Sequence, residues 1–201
     1  MKKRKPRANR KWAVIALLLL MAPDLPLAEE LPFVATFEEL SEAPLPVQSE
    51  WHTAQRDQVV VTRLAAHGGE RSLLVPSNAM VRLDFEDSTA TNIWIDFYLR
   101  LEPRPTPAPP VLSAEAVAGF YIHENGHVMA KSNSSWVACS GFVVSTARWC
   151  RFTVNLDYGA RRWALYAAGD IPNELSVPLA TNLAFNAGAT NTHFRSFRVK
   201  N

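Results

Sequence analysis

Residues 92–101 alternate without a break. Ile93, Ile95, Phe97, Leu99 and Leu101 share one parity, and Trp94, Asp96, Tyr98 and Arg100 share the other. Successive side chains of an extended strand point to opposite sides, so this segment has one apolar face to bury and one face of mixed aromatic and charged groups. A helix would scatter the same residues around its axis. No segment of the chain sustains a long 3.6-residue period. Apolar residues elsewhere alternate, or form short runs rich in Val, Phe, Trp and Tyr between turn residues. The candidate strands are 33–38, 59–64, 72–75, 79–85, 92–101, 116–124, 127–131, 136–144, 149–158, 162–167, 182–185 and 193–199. So many short strands crowd a single open sheet, and two packed antiparallel sheets are the expected solution. The fold class expected is all-β, a two-sheet antiparallel β-sandwich.

The N-terminus has a different composition. Lys2, Lys3, Arg4, Lys5, Arg7, Arg10 and Lys11 precede an apolar run from Trp12 to Met21, and Ala28 stands near its exit. A basic head, a short apolar core and a small residue read as a secretory signal peptide over residues 1–28, with Ala22 as the alternative last residue. A basic arm for nucleic acid or lipid gains nothing from the four leucines at 17–20. The core falls short of the roughly 20 residues that span a bilayer. Without residues 1–28, Lys+Arg falls from 21 to 14 and Asp+Glu from 19 to 18, so the net charge moves from +2 to −4. A mildly acidic mature chain lacks the basic footprint of a nucleic-acid binder. The expected location is secreted, periplasmic or cell-surface, with no stable membrane span after cleavage.

Residues 29–201 read as a single domain, since the 48% apolar and 20% charged residues of the whole chain make a globular composition. Residues 103–110, P-R-P-T-P-A-P-P, are stiff and extended. The strand pattern continues on both sides, so they are expected to form a long surface loop inside the domain. The segment His67-Gly68-Gly69-Glu70 supplies a turn, and no helix follows it to make a phosphate cradle.

His123-Glu124-Asn125-Gly126-His127 matches the H-E-x-x-H zinc signature. That chemistry needs a helix, which sets both histidines on one side. Here Asn-Gly stands between two apolar runs, the strongest short signal of a hairpin. In a two-residue hairpin Glu124 faces His127 and His123 faces Val128. The two histidines would then lie on opposite sides of the sheet, and no zinc is expected. Cys139 and Cys150 fall on strands expected to be neighbours. A disulfide between them is expected, since export permits one; it is worth roughly 3 kcal/mol for so short a loop. The alternative is a pair of buried thiols. No C-x-x-C is present to suggest redox chemistry.

The polar face of 92–101 carries rings beside an acid and a base. Such a mixture suits sugar recognition, with rings stacking on sugar faces and polar groups taking hydroxyls. The competing reading is a surface covered by loops, where Trp94 and Tyr98 only pack. In 149–158, Phe152, Val154 and Leu156 share the apolar face, and Arg151, Thr153, Asn155 and Asp157 share the other. This strand is expected to turn at 157–161 into 162–167. The candidate ligand-binding set is Trp94, Asp96, Tyr98 and Arg100, with Tyr121, His123, Asn155 and Asp157 added from strands assumed adjacent.

The series W-C-R-F-T-V-N-L-D-Y at 149–158, R-R-W-A-L-Y-A-A-G at 161–169 and T-H-F-R-S-F-R-V at 192–199 resembles the concanavalin A-like lectin/glucanase superfamily. More narrowly, it resembles the laminin G-like bacterial branch. Phe37-Glu38 and the segments 69–75, 94–100 and 120–128 fall in the order of that family, so the resemblance covers about 33–199. It implies a two-sheet jelly roll, and a function among glycan binders, adhesive modules and glycosidases. Retaining glucanases of this fold carry E-x-D-x-x-E on one strand, which brings two carboxyls to about 5–5.5 Å. The pattern does not occur here. Asp84-Phe85-Glu86-Asp87 spaces acids two apart, but it runs into Ser88-Thr89 and reads as a solvated turn. G-x-S-x-G, the P-loop and the EF-hand loop are also missing. The fold admits calcium, yet no dense run of oxygen ligands marks a site. No cofactor is expected. The function expected is an exported, noncatalytic lectin-like module that binds glycan or a surface polymer. The alternatives are a structural or protein-interaction sandwich without a sugar site, and a glycoside hydrolase with an unrecognised site.

Overall fold

The computed structural model describes residues 32–45, 49–86, 88–102, 109–169 and 174–201. The expected signal peptide and most of the proline-rich loop lie outside these residues. The described chain is all-β. Its strands are β1 (Val60–Thr62), β2 (Ser72–Leu74), β3 (Met80–Asp84), β4 (Asn92–Arg100), β5 (Phe120–Ile122), β6 (His127–Ser132), β7 (Ser135–Val143), β8 (Trp149–Asp157), β9 (Arg162–Ala168), β10 (Val177–Ala184) and β11 (Ser196–Lys200). Among the described residues no helix is long and apolar enough to cross a membrane.

Every pairing is antiparallel. A four-stranded sheet has the order β10-β9-β8-β4, a three-stranded sheet the order β5-β6-β7, and two ribbons pair β1 with β2 and β11 with β3. The long alternating segment is β4. It lies along β8 over their full length, with Asn92 opposite Asp157 and Arg100 opposite Trp149. Strands β8 and β9 form the expected hairpin, closed by Asp157 opposite Arg162. The Asp157 carboxylate accepts the Ala160 N–H at 2.8 Å and shapes that turn.

Packing follows the alternation. The inner face of β8 buries Cys150, Phe152, Val154 and Leu156, and Trp163, Leu165 and Ala167 continue that face on β9. Phe152 meets Phe120 of the three-stranded sheet with ring centroids 4.9 Å apart. Phe97 of β4 meets Phe197 of β11 at 5.2 Å. The four-stranded sheet, the three-stranded sheet and the β3–β11 ribbon thus share one aromatic core. Trp163, 2% exposed, donates its indole N–H across this core to the Lys131 carbonyl at 2.9 Å. A buried indole needs that partner, because an orphaned donor costs about 1–3 kcal/mol.

Several expectations are corrected. Residues 33–38 form no strand; Phe37 sits at φ 63° and the segment is irregular. Strand β10 is longer than the expected 182–185 and carries Pro178. It tolerates the proline because it is an edge strand, where one row of N–H groups faces no neighbour. Its register slips between Pro178 and Ala180 and again before Leu183, with Asn182 at φ 58°. Cys139 and Cys150 do not lie on neighbouring strands. Strand β7 closes the three-stranded sheet, while β8 lies between β9 and β4. No disulfide joins the two cysteines; both are buried thiols.

The hairpin at 123–127 forms, but with a different register. Ile122 pairs with Val128. The His123 N–H donates to the His127 carbonyl at 2.9 Å, and the Gly126 N–H donates to the His123 carbonyl at 2.8 Å. Three residues turn the chain instead of two, with Gly126 at φ 82° as the left-handed residue of a bulge. His123 therefore opposes His127. Opposed residues project to the same side of a sheet, so the expectation of opposite sides is overturned.

Candidate functional site

The outer face of the four-stranded sheet is built from cross-strand rungs. Trp94 opposes Asn155, which opposes Ala164. Asp96 opposes Thr153, which opposes Tyr166. Tyr98 opposes Arg151, which opposes Ala168. The alternation of β4 and β8 dictates this: burying their apolar parity leaves the other parity outside.

Trp94 is 60% exposed and Tyr98 41%. Trp94 lies diagonally beside Tyr166, with centroids 6.0 Å apart and planes 33° apart. Between the two exposed rings stands Asp96. Arg151 donates Nε to both its oxygens, at 2.9 and 3.0 Å, and Nη2 to Oδ2 at 2.7 Å. The Thr153 hydroxyl donates to Oδ1 at 2.8 Å. Partial burial pushes the Asp96 carboxyl up, but these hydrogen bonds and the guanidinium charge outweigh it and hold it below its ordinary value. The same contacts raise Arg151. Asp96 is thus an internal strut of the face, its acceptor capacity largely taken.

The other expected residues have distinct places. Asn155 donates Nδ2 to Asn92 Oδ1 at 2.5 Å, and its own Oδ1 accepts from no described residue. Arg100 turns to Glu102 at 3.7 Å. Asp157 serves the β8–β9 turn. Tyr121 and His123 are not brought to this face. Phe120 and Ile122 point into the shared core, so Tyr121 and His123 project from the far side of the three-stranded sheet. Tyr121 there meets Trp136 edge-on at 4.8 Å.

Sequence reasoning left out four contributors to the face. Arg151 and Thr153 were on the right parity of β8, and that parity was the available signal. Tyr166 follows from the alternation of β9 in the same way. His67 gave no signal. It reaches Tyr98 from the H-G-G-E turn and stacks on it, centroids 3.6 Å apart, with its edge toward Trp149 at 5.8 Å. That turn is held by Glu38, whose carboxylate accepts the N–H groups of Glu70 and Arg71 at 3.1 and 3.0 Å. A Cβ on Gly69 would meet the Glu38 carboxylate, so a side chain there would displace the end of Glu38. The backbone that follows the two glycines thus binds a carboxylate of the protein itself.

Two surface depressions lie away from this face. One is lined by Asn133, Arg161, Arg162 and Asn186 among others, the other by Phe33, Phe37 and Trp51 among others. Among the described residues no group of three or more His, Cys, Asp and Glu side chains gathers as a metal site. Asp84 lies 2.5 Å from Arg82 Nε and faces His52 at 4.0 Å. The chain matches no protein-family model, no curated protein and no solved structure.

Proposed function

We propose that the chain is an exported, noncatalytic module of concanavalin A-like jelly-roll type that binds a glycan or another surface polymer. The observation that carries this reading is Trp94, which stands 60% exposed within an ordered polar sheet face. Fully burying a large apolar side chain is worth roughly 1.5–3 kcal/mol, and the fold leaves the share that belongs to the exposed part of this ring available to a partner. The Asp96–Arg151–Thr153 network fixes the surface beside the ring. A sugar ring stacked on Trp94 would find Asn155, directly opposite it, at its rim. Aromatic walls with a few placed polar groups are the usual make-up of a small-ligand site. Tyr98 offers less, because His67 covers one side of its ring.

The test is a glycan array probed with the secreted chain, followed by the same array with Trp94→Ala. Binding to a defined glycan that is lost in the folded variant supports the reading. Absence of binding to any glycan, or binding that Trp94→Ala leaves intact, overturns it and favours a protein-interaction domain.

A further inference from the structure

The H-E-x-x-H segment has no part in the sheet face, yet the register gives it a chemistry of its own. His123 and His127 form the last cross-strand pair of the β5–β6 hairpin, joined by the His123 N–H to His127 carbonyl bond at 2.9 Å. Val128 points into the core, fully buried, so the alternating His127 points outward and is exposed. Directly opposed residues have Cβ atoms about 4.5–5.5 Å apart. Two imidazoles on such a pair reach one cation at the roughly 2.0–2.1 Å of a metal–nitrogen bond.

Asn125 settles which nitrogen of His123 carries a lone pair outward. Asn125 Oδ1 lies 3.1 Å from the His127 backbone N–H, which can only donate, so that side-chain atom is the oxygen. The same oxygen lies 3.0 Å from His123 Nδ1. An amide oxygen only accepts, so Nδ1 carries the proton and Nε2 keeps the free pair. A competing contact, from the Asn125 backbone N–H to Nδ1, is longer at 3.5 Å. Metal-ligating histidines are commonly held this way, the second ring nitrogen donating to a fixed oxygen. Gly126 guards the register, because a Cβ there would fall 2.7 Å from the Val144 carbonyl oxygen.

We propose that His123 and His127 form a two-imidazole site for a late first-row divalent cation, with its other positions open to water. Imidazole nitrogens suit copper, nickel and zinc, and Cu2+ is held most tightly in that series. The site differs from a helical zinc protease site in having two ligands on a hairpin. It does not depend on the glycan reading.

The experiment titrates the untagged, secreted chain with copper(II) chloride and reads the frozen product by electron paramagnetic resonance. One Cu2+ per chain with hyperfine coupling from two imidazole nitrogens is expected. His123→Ala and His127→Ala should each weaken binding at least about tenfold and remove the two-nitrogen signature. His193→Ala should bind as the parent does. Circular dichroism establishes that the variants are folded, and the ligands lie at a solvent-facing turn. Copper binding that survives both alanine variants, or no binding by the parent chain, overturns the proposal.

Discussion

Arg151 grips Asp96 across β4 and β8 through three nitrogen–oxygen contacts of 2.7 to 3.0 Å. This pair belongs neither to the core nor to a mobile rim; it sits in the middle of a sheet face and joins residues 55 positions apart in sequence. Its consequence is a dependence on pH. Asp96 has a folded-state pKa below its unfolded value. Above the unfolded value, near pH 4, both states are ionised and the full stabilisation is present. As pH falls toward the folded value, the unfolded chain takes up the proton first and stability is lost. Asp96→Asn should remove this part of the acid sensitivity, so its melting temperature should fall less steeply than the parent's below pH 4. The pair is partly exposed and worth at most about 1 kcal/mol. Parallel thermal melts from pH 6 to pH 2 compare the slopes; identical slopes would remove Asp96 from the account.

Trp94→Ala should separate binding from stability. Its exposed ring contributes little to the fold, and substitutions at such positions usually stay within about ±0.5 kcal/mol. The thermal midpoint should therefore hardly move while glycan binding is lost. Tyr98→Ala should cost more stability, since it also removes the surface on which His67 stacks. If Trp94→Ala unfolds the chain, the ring is structural and the site is lost with it.

The cysteines give a chemical check. Burial pushes the Cys139 thiol up, so it should resist alkylation in the native chain at neutral pH. Denatured without reductant, the protein should yield two titratable thiols per chain. A count of zero would restore the disulfide that Cys139 and Cys150 do not form in this structure.

Phe152 is fully buried where the two larger sheets meet. Phe152→Ala should destabilise by about 3–5 kcal/mol, because the rigid ring packing around it cannot collapse into the gap. Urea unfolding followed by tryptophan fluorescence measures this. A loss below about 1 kcal/mol, the size of an ordinary surface change, would mean that the sheets do not share a core at this ring.

What could be read in advance depended on range. The parity of 92–101 and 149–158 stated which residues are inside, and the β8–β9 hairpin followed from one local turn. The outer face with Trp94, Asp96 and Tyr98 came from the same alternation. Partners between distant segments were not written locally. Tyr121 and His123 lie across the core from Trp94 because β5 joins a different sheet, and no pattern within β5 says so. The cysteines were misplaced for the same reason, since proximity along the chain stood in for pairing in the sheet. Pro178 masked β10, whose position at an edge is a property of the whole fold. The H-E-N-G-H turn failed on one residue: a third residue in the loop reversed the side on which His127 projects.

The ribbon of β3 and β11 sets a condition on how the chain can fold. Arg198 lies opposite Arg82, more than a hundred residues away, and Val199 opposite Val81. Closing so long a loop carries an entropic cost before any contact rewards it, and topologies with such distant partners fold in milliseconds to seconds rather than microseconds. Until residues 196–200 have been synthesised, β3 lacks its partner and Phe97 lacks Phe197. An emerging chain therefore presents an open strand edge beside an uncovered aromatic surface, the kind of intermediate that associates with its copies. On the proposed export, delayed completion keeps the polypeptide for longer in the unfolded state that a translocation channel can thread and a finished set of sheets cannot.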